Sequence, residues 1–133
     1  MFRYSLVCLA FISSTLAQSA FAADTNCKNP VDQASMNLCA DKALKASDKA
    51  LNDKYHALYQ GSSTAGKLKL QSAQRAWITY RDAQCSFDTL GSMGGSMHSM
   101  AYSICVDMLT QAQSKVLDQQ LNCDDGDMSC GRQ

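Results

Sequence analysis

The sequence contains no glutamate, so all twelve acidic side chains are aspartate. Among its 133 residues it has one proline, one tryptophan and two histidines. His56 and His98 fall in different segments. Neither belongs to an HExxH, G-x-S-x-G or P-loop pattern, which leaves metalloprotease, serine-hydrolase and nucleotide-hydrolysing chemistry without a motif. No CxxC spacing occurs, and that turns the cysteines away from metal ligation. No segment sustains period-two alternation, so strands are not expected. A basic excess is missing as well, with twelve Lys and Arg against twelve Asp. This balance argues against a general nucleic-acid or anionic-membrane binder.

What is present begins with an export signal. Arg3 supplies a short positive region, Leu6 to Leu16 an apolar run, and Ala20-Phe21-Ala22 a small-x-small cleavage site. Residues 1–22 therefore read as a signal peptide, with Ala23 a close alternative cleavage point. Cys8 lies inside the apolar run and is discarded with it. Loss of Arg3 leaves eleven basic side chains against twelve acidic ones, a net charge near minus one. No second long apolar run follows, so membrane insertion of the mature chain is not expected. The address implied is periplasmic or secreted.

Export changes the meaning of the remaining cysteines. Cys27, Cys39, Cys85, Cys105, Cys123 and Cys130 form an even set in a short exported chain, the signature of a disulfide framework. A core this small benefits from such staples.

Three helical patterns carry the mature chain. The first follows Pro30 and runs through Met36, Ala40, Leu44, Leu51, Tyr55 and Leu58, ending near Tyr59. It is long enough to bend or break. A loop composition follows from Gly61 to Gly66. The second pattern starts around Ala65 to Lys67 and reaches about Leu90, with Leu70, Ala73, Trp77, Tyr80 and Gln84 at helical spacing. Trp77, the largest side chain available, is expected to anchor the core and to be mostly buried. Gly91 to Met97, with three glycines, reads as a second loop. The third helix starts between Ser96 and Met100 and runs to Leu121. The expected fold is all-α, an antiparallel bundle of three main helices stapled by disulfides. It comprises a helical domain over 23–121 and an acidic, disulfide-closed tail over 122–133.

Up-down-up packing brings Cys39, Cys85 and Cys105 to one end of the bundle, within reach of Cys27. Cys27–Cys39 with Cys85–Cys105 is one solution, and Cys27–Cys85 with Cys39–Cys105 is another. Spacing does not choose between them. Cys123–Cys130 is local, and its short loop contributes less than bridges joining helices.

Two runs carry a resemblance. Ser47-Asp48-Lys49-Ala50-Leu51-Asn52-Asp53-Lys54-Tyr55 is similar to an aD-x-x-LN-x-x-Y element. Leu70-Gln71-Ser72-Ala73-Gln74-Arg75-Ala76-Trp77-Ile78-Thr79-Tyr80-Arg81-Asp82-Ala83-Gln84-Cys85 is similar to an L-x-x-aQrAWi-x-yRDa-x-C signature. Gly94-Gly95-Ser96, Cys105 and Leu109-Thr110 complete the order. Together, over roughly Cys27 to Leu117, these resemble the exported LprI-type, lysozyme-inhibitor-like family. That resemblance implies a small, helical, disulfide-bonded bacterial envelope protein whose partner is a lysozyme or another envelope protein. The chain departs from the pattern at Gln113, where the family often carries arginine, and in its acidic tail.

Asp48, Asn52 and Tyr55 share one helix face, and Arg75, Trp77, Arg81 and Asp82 can meet them across an interface. This cluster has two readings: a paired network that sets helix register, or a polar docking surface. Buried Trp77 favours the first and exposed Trp77 the second. An inhibitor of a basic glycosidase needs an acidic surface for steering and a protruding loop to block the saccharide cleft. The candidates are the loop bounded by Gly61 and Gly66, the loop with Gly94, Gly95 and Ser96, and the tail carrying Asp124, Asp125 and Asp127. The tail is shorter than a calcium loop and reads as solvated. Met93, Met97, His98 and Met100 offer a weaker alternative as thioether and imidazole ligands for copper(I). No catalytic residue and no cofactor are expected. The reading is a non-enzymatic interaction module of the envelope, an inhibitor of lysozyme-type glycosidases, with a structural or stress-related envelope role as the alternative.

Overall fold

The computed structural model describes residues 27–124 and 126–132. The signal-peptide segment and Asp125 lie outside the described residues. Three helices make up the fold: α1 (Gln33–Gly61), α2 (Thr64–Asp88) and α3 (His98–Leu121). A single 3-10 turn, Leu90–Ser92, follows α2.

Each helix boundary has a local cause. Asp32 caps α1 by accepting from Ser35 N–H at 2.7 Å, while Ser35 Oγ accepts from Asp32 N–H at 3.2 Å, a closed capping box. Ser62 ends α1, with its N–H returning to the Tyr59 carbonyl. Ser63 then caps α2 by accepting from Gly66 N–H. Thr89 closes α2, its hydroxyl donating to the Cys85 carbonyl at 2.7 Å. The first helix, 29 residues long, is continuous.

The helices run up, down and up, so α1 and α3 are parallel neighbours. Asn37 Nδ2 donates to the Ser96 carbonyl, Ser47 Oγ to Asp107 Oδ1, and Lys54 Nζ to the Ser114 carbonyl. Lys54 also pairs with Asp118 at 3.0 Å. Higher numbers on α1 thus meet higher numbers on α3. Helix α2 runs the other way, with Arg81 meeting Asp48 and Gln71 meeting Tyr59.

The core lies chiefly between α1 and α3, the closest-packed pair. Leu51, Leu58 and Leu117 form its centre, with Tyr55, Leu70, Trp77 and Leu121 packed against it. Val106, Thr110 and Ser114 extend the buried row along α3. Helix α2 buries only Cys85 completely. This corrects the expected apolar face of α2. Ala73 and Tyr80 are exposed, and Gln84 is spent on Asp88 at 2.8 Å. The inward row is Leu70, Gln74, Trp77, Arg81 and Cys85, of which two members are polar. Trp77 is mostly buried, as expected, and packs against the Leu51, Leu58 and Leu117 core.

The disulfides are Cys27–Cys39, Cys85–Cys105 and Cys123–Cys130. The first ties the lead-in to α1. The second joins the end of α2 to α3, with Cα atoms 5.6 Å apart.

Candidate functional site

Arg81 is the hub of the polar cluster. Its Nη1 donates to Asp48 Oδ1 at 3.2 Å and to Thr110 Oγ1 at 3.4 Å, and its Nε donates to Asp82 Oδ1 at 2.9 Å. The guanidinium also lies over Trp77, 5.1 Å from the ring centroid, in cation–π geometry. Only 14% of the Arg81 side chain is exposed, against 42% for Asp48 and 48% for Asp82. One arginine therefore contacts all three helices, with its donors directed at two half-exposed carboxylates. The remaining candidates are not part of this node. Asn52 and Arg75 are exposed, and Tyr55 packs on the core and stacks on Tyr59. Thr110 is fully buried and belongs to the node, although helical spacing alone marks it only as a polar residue on α3.

The three candidate loops differ in what they present. The link between α1 and α2 is only Ser62 and Ser63, because α2 begins at Thr64 and Gly66 sits within its first turn. The expected Gly61–Gly66 loop is therefore not a protrusion. Ser62 is buried and donates to the Leu58 carbonyl, which tightens the corner.

The tail folds onto this same corner rather than standing free in solvent. Ser63 N–H donates to the Arg132 carbonyl, and Gly131 N–H donates to Gln120 Oε1 at 2.8 Å. Arg132 Nη2 returns to the Cys123 carbonyl, and Cys130 is buried. A Cβ on Gly66 would meet the Gly131 carbonyl at 3.0 Å, so the close approach of tail and helix depends on that glycine. The tip of the tail stays exposed at Asp124, Asp127 and Met128. Asp127 is held below the ordinary carboxylate range by the Ser129 N–H and then the Ser129 hydroxyl.

The connection between α2 and α3 is different. Phe87 is 74% exposed, Leu90 58%, Met93 64% and Met97 53%. Phe87 lies on the last turn of α2, and Leu90, Met93 and Met97 fall in the short connection that follows it, next to the Cys85–Cys105 disulfide. Gly94 takes φ +78°, the left-handed conformation that lets the chain reverse, and Gly95 N–H bonds to the Ser92 carbonyl. Ser96 contributes its carbonyl to Asn37. Phe87 and Leu90 were not among the sequence candidates. Their signal is their position off the inward row of α2, next to a cysteine that fixes the helix end.

In the methionine group, His98 Nδ1 lies 3.1 Å from Ser92 Oγ, and Met100 Sδ accepts from Gln33 Nε2 at 3.9 Å. Met93 and Met97 face solvent. Among the described residues no group of three or more His, Cys or Asp side chains could hold a metal ion.

The family model described as "Lysozyme inhibitor LprI" matches residues 24–117. The chain belongs to that family. It is also 34% identical over 116 residues to an uncharacterized protein of Rhizobium meliloti (strain 1021), an alignment covering 77% of this chain and 84% of the relative. No solved structure matches. The LprI segment holds the Arg81 node, two disulfides and the apolar α2–α3 connection, while the tail lies beyond it. Among the described residues no helix is long and apolar enough to cross a membrane.

Proposed function

We propose that this LprI-family chain is an exported, non-enzymatic inhibitor of a lysozyme-type glycosidase, and that the Phe87–Met97 connection is the part that enters the enzyme. Family membership supports the target class. The observation that supports the surface is the group of four exposed apolar side chains on a disulfide-rooted turn. Aromatic residues and methionine are enriched where protein surfaces meet, and contiguous exposed apolar groups mark such places. Fixing both ends of the turn lowers the ordering cost of binding.

Charge supports the same surface. Between Arg81 and Lys115 the chain has no lysine or arginine but carries Asp82, Asp88 and Asp107. That stretch is acidic although the whole is near neutral, and it would steer encounter with a basic enzyme. A glycosidase with two carboxylates in a saccharide cleft is blocked when the cleft is filled, without any reaction on the inhibitor's side. The Arg81 node acts behind this surface by fixing the register of α2 against α1 and α3.

The test is lysis of a cell-wall suspension by a panel of lysozymes, with the oxidised mature protein added at stoichiometric concentration. Inhibition is expected, and it should be lost in a Phe87→Ser, Leu90→Ser, Met93→Ser variant that keeps its helical circular dichroism. Absence of inhibition against every lysozyme type by the unaltered protein would sink the proposal.

A further inference from the structure

At the opposite end of the bundle from that turn, the helices leave a cleft of about 320 Å³. Leu58, Leu70, Val116 and Leu117 give it apolar walls, and Gly131 of the folded-back tail closes one side. An apolar cavity of roughly 150 Å³ admits a benzene ring, so this cleft has room for about twelve non-hydrogen atoms. Its polar lining residues are Ser62, Lys69, Gln74, Gln113 and Gln120, and two of them bear on a ligand. Gln74 lines the wall, and its Oε1 is buried with no hydrogen-bond partner among the described residues. Lys69 stands at the rim as an exposed cation.

Each feature selects part of a ligand. The walls take an unbranched apolar chain. A buried, unpaired carbonyl oxygen is costly, and a ligand N–H removes that cost once the terminal amide of Gln74 turns about its broad χ3 torsion. Lys69 takes a carboxylate. We infer that this cleft binds a single-chain acyl amide with an anionic head, of the N-acyl amino acid type: chain between Leu70 and Val116, amide N–H to Gln74, carboxylate to Lys69. Two of its lining residues, Gln120 and Gly131, lie beyond the segment matched to the family. It is also separate from the surface proposed to meet a glycosidase, so either assignment can fail alone.

Titration calorimetry of the oxidised full mature chain with N-octanoylglycine tests the assignment. Saturable one-to-one binding is expected. Decanoate, which lacks the N–H, should bind severalfold more weakly, and N-acetylglycine, which lacks the chain, should not bind measurably. Ala73→Trp places a ring in the cleft from an exposed helix position and should reduce affinity more than about tenfold while thermal unfolding is unchanged. Lys69→Gln should weaken N-octanoylglycine by up to about fivefold and leave 1-decanol unaffected. No saturable heat with N-octanoylglycine, binding unchanged in Ala73→Trp, or binding only to anionic phospholipid vesicles would overturn the site. Equal affinity for decanoate would overturn the role of Gln74.

Discussion

Arg81 Nη1 lies 3.2 Å from Asp48 Oδ1, joining the C-terminal half of α2 to the middle of α1. It is the main polar tether of a helix that otherwise rests on the core through Leu70 and Trp77. Replacing Arg81 by methionine keeps the packing over Trp77 but leaves Asp48, Asp82 and Thr110 without their donor. Both carboxylates are half-exposed and can be rehydrated, so the loss is expected at about 1–3 kcal/mol, below that of a fully buried pair. Urea unfolding should show a lower midpoint with an unchanged slope. Lysine at this position should recover only part of the loss, because it lacks the planar fork that serves several acceptors.

Leu51 is 2% exposed and touches the centre of the α1–α3 core. Leu51→Ala should cost about 2–5 kcal/mol, the range for an incompletely collapsed cavity. Phe87→Ser, at a position three-quarters exposed, should leave the same unfolding curve in place. A large shift from Phe87→Ser would mean that the residue belongs to the core and not to a docking surface.

Acid stability depends on the start of α1. The Ser35 N–H, then the Ser35 hydroxyl, holds Asp32 below its ordinary pKa of 3.8. The unfolded chain therefore takes up this proton more readily than the folded one. The stabilisation is complete above the ordinary value and is lost as pH falls through the lower, folded value. Asp127 contributes in the same direction. Asp32→Asn retains a capping oxygen but has no charge to lose. Its melting temperature should depend less on pH below about pH 4 than that of the parent protein.

The disulfides should rank by the length of chain they close. On chain-entropy grounds Cys85–Cys105 contributes about 3.3 kcal/mol and Cys123–Cys130 about 2.4 kcal/mol. Double Cys→Ser variants, compared by thermal unfolding, should fall in that order. The Cys123→Ser, Cys130→Ser variant should in addition raise amide exchange at Ser63, whose N–H is held by the Arg132 carbonyl.

Much of the architecture was legible because it is local. Helix periodicity, Pro30 ahead of α1 and the glycines at the α2–α3 connection each act within a few residues. They predicted the three helices with boundaries displaced by only a few positions. The inward face of α2 was misread for an equally physical reason. Periodicity weights apolar side chains, whereas this face presents Gln74 and Arg81 to the bundle and leaves Tyr80 outside. An arginine paired with Asp48 and laid over Trp77 behaves as an interior residue, and no composition rule marks it as one.

By itself, the sequence determined an all-helical chain, six cysteines from Cys27 to Cys130 available for bridges, and membership of a family through the Trp77 to Cys85 run. The tertiary structure decided between the two disulfide solutions. The start of α1 holds Cys39 beside its own lead-in, while the antiparallel crossing of α2 and α3 sets the Cys85 and Cys105 Cα atoms 5.6 Å apart. It also decided that the tail seals a corner, since Gly131 can approach Gly66 only after the helices are packed. These outcomes depend on distances between residues far apart in the chain. Such distances follow from how three amphipathic surfaces share one core, and from no single stretch.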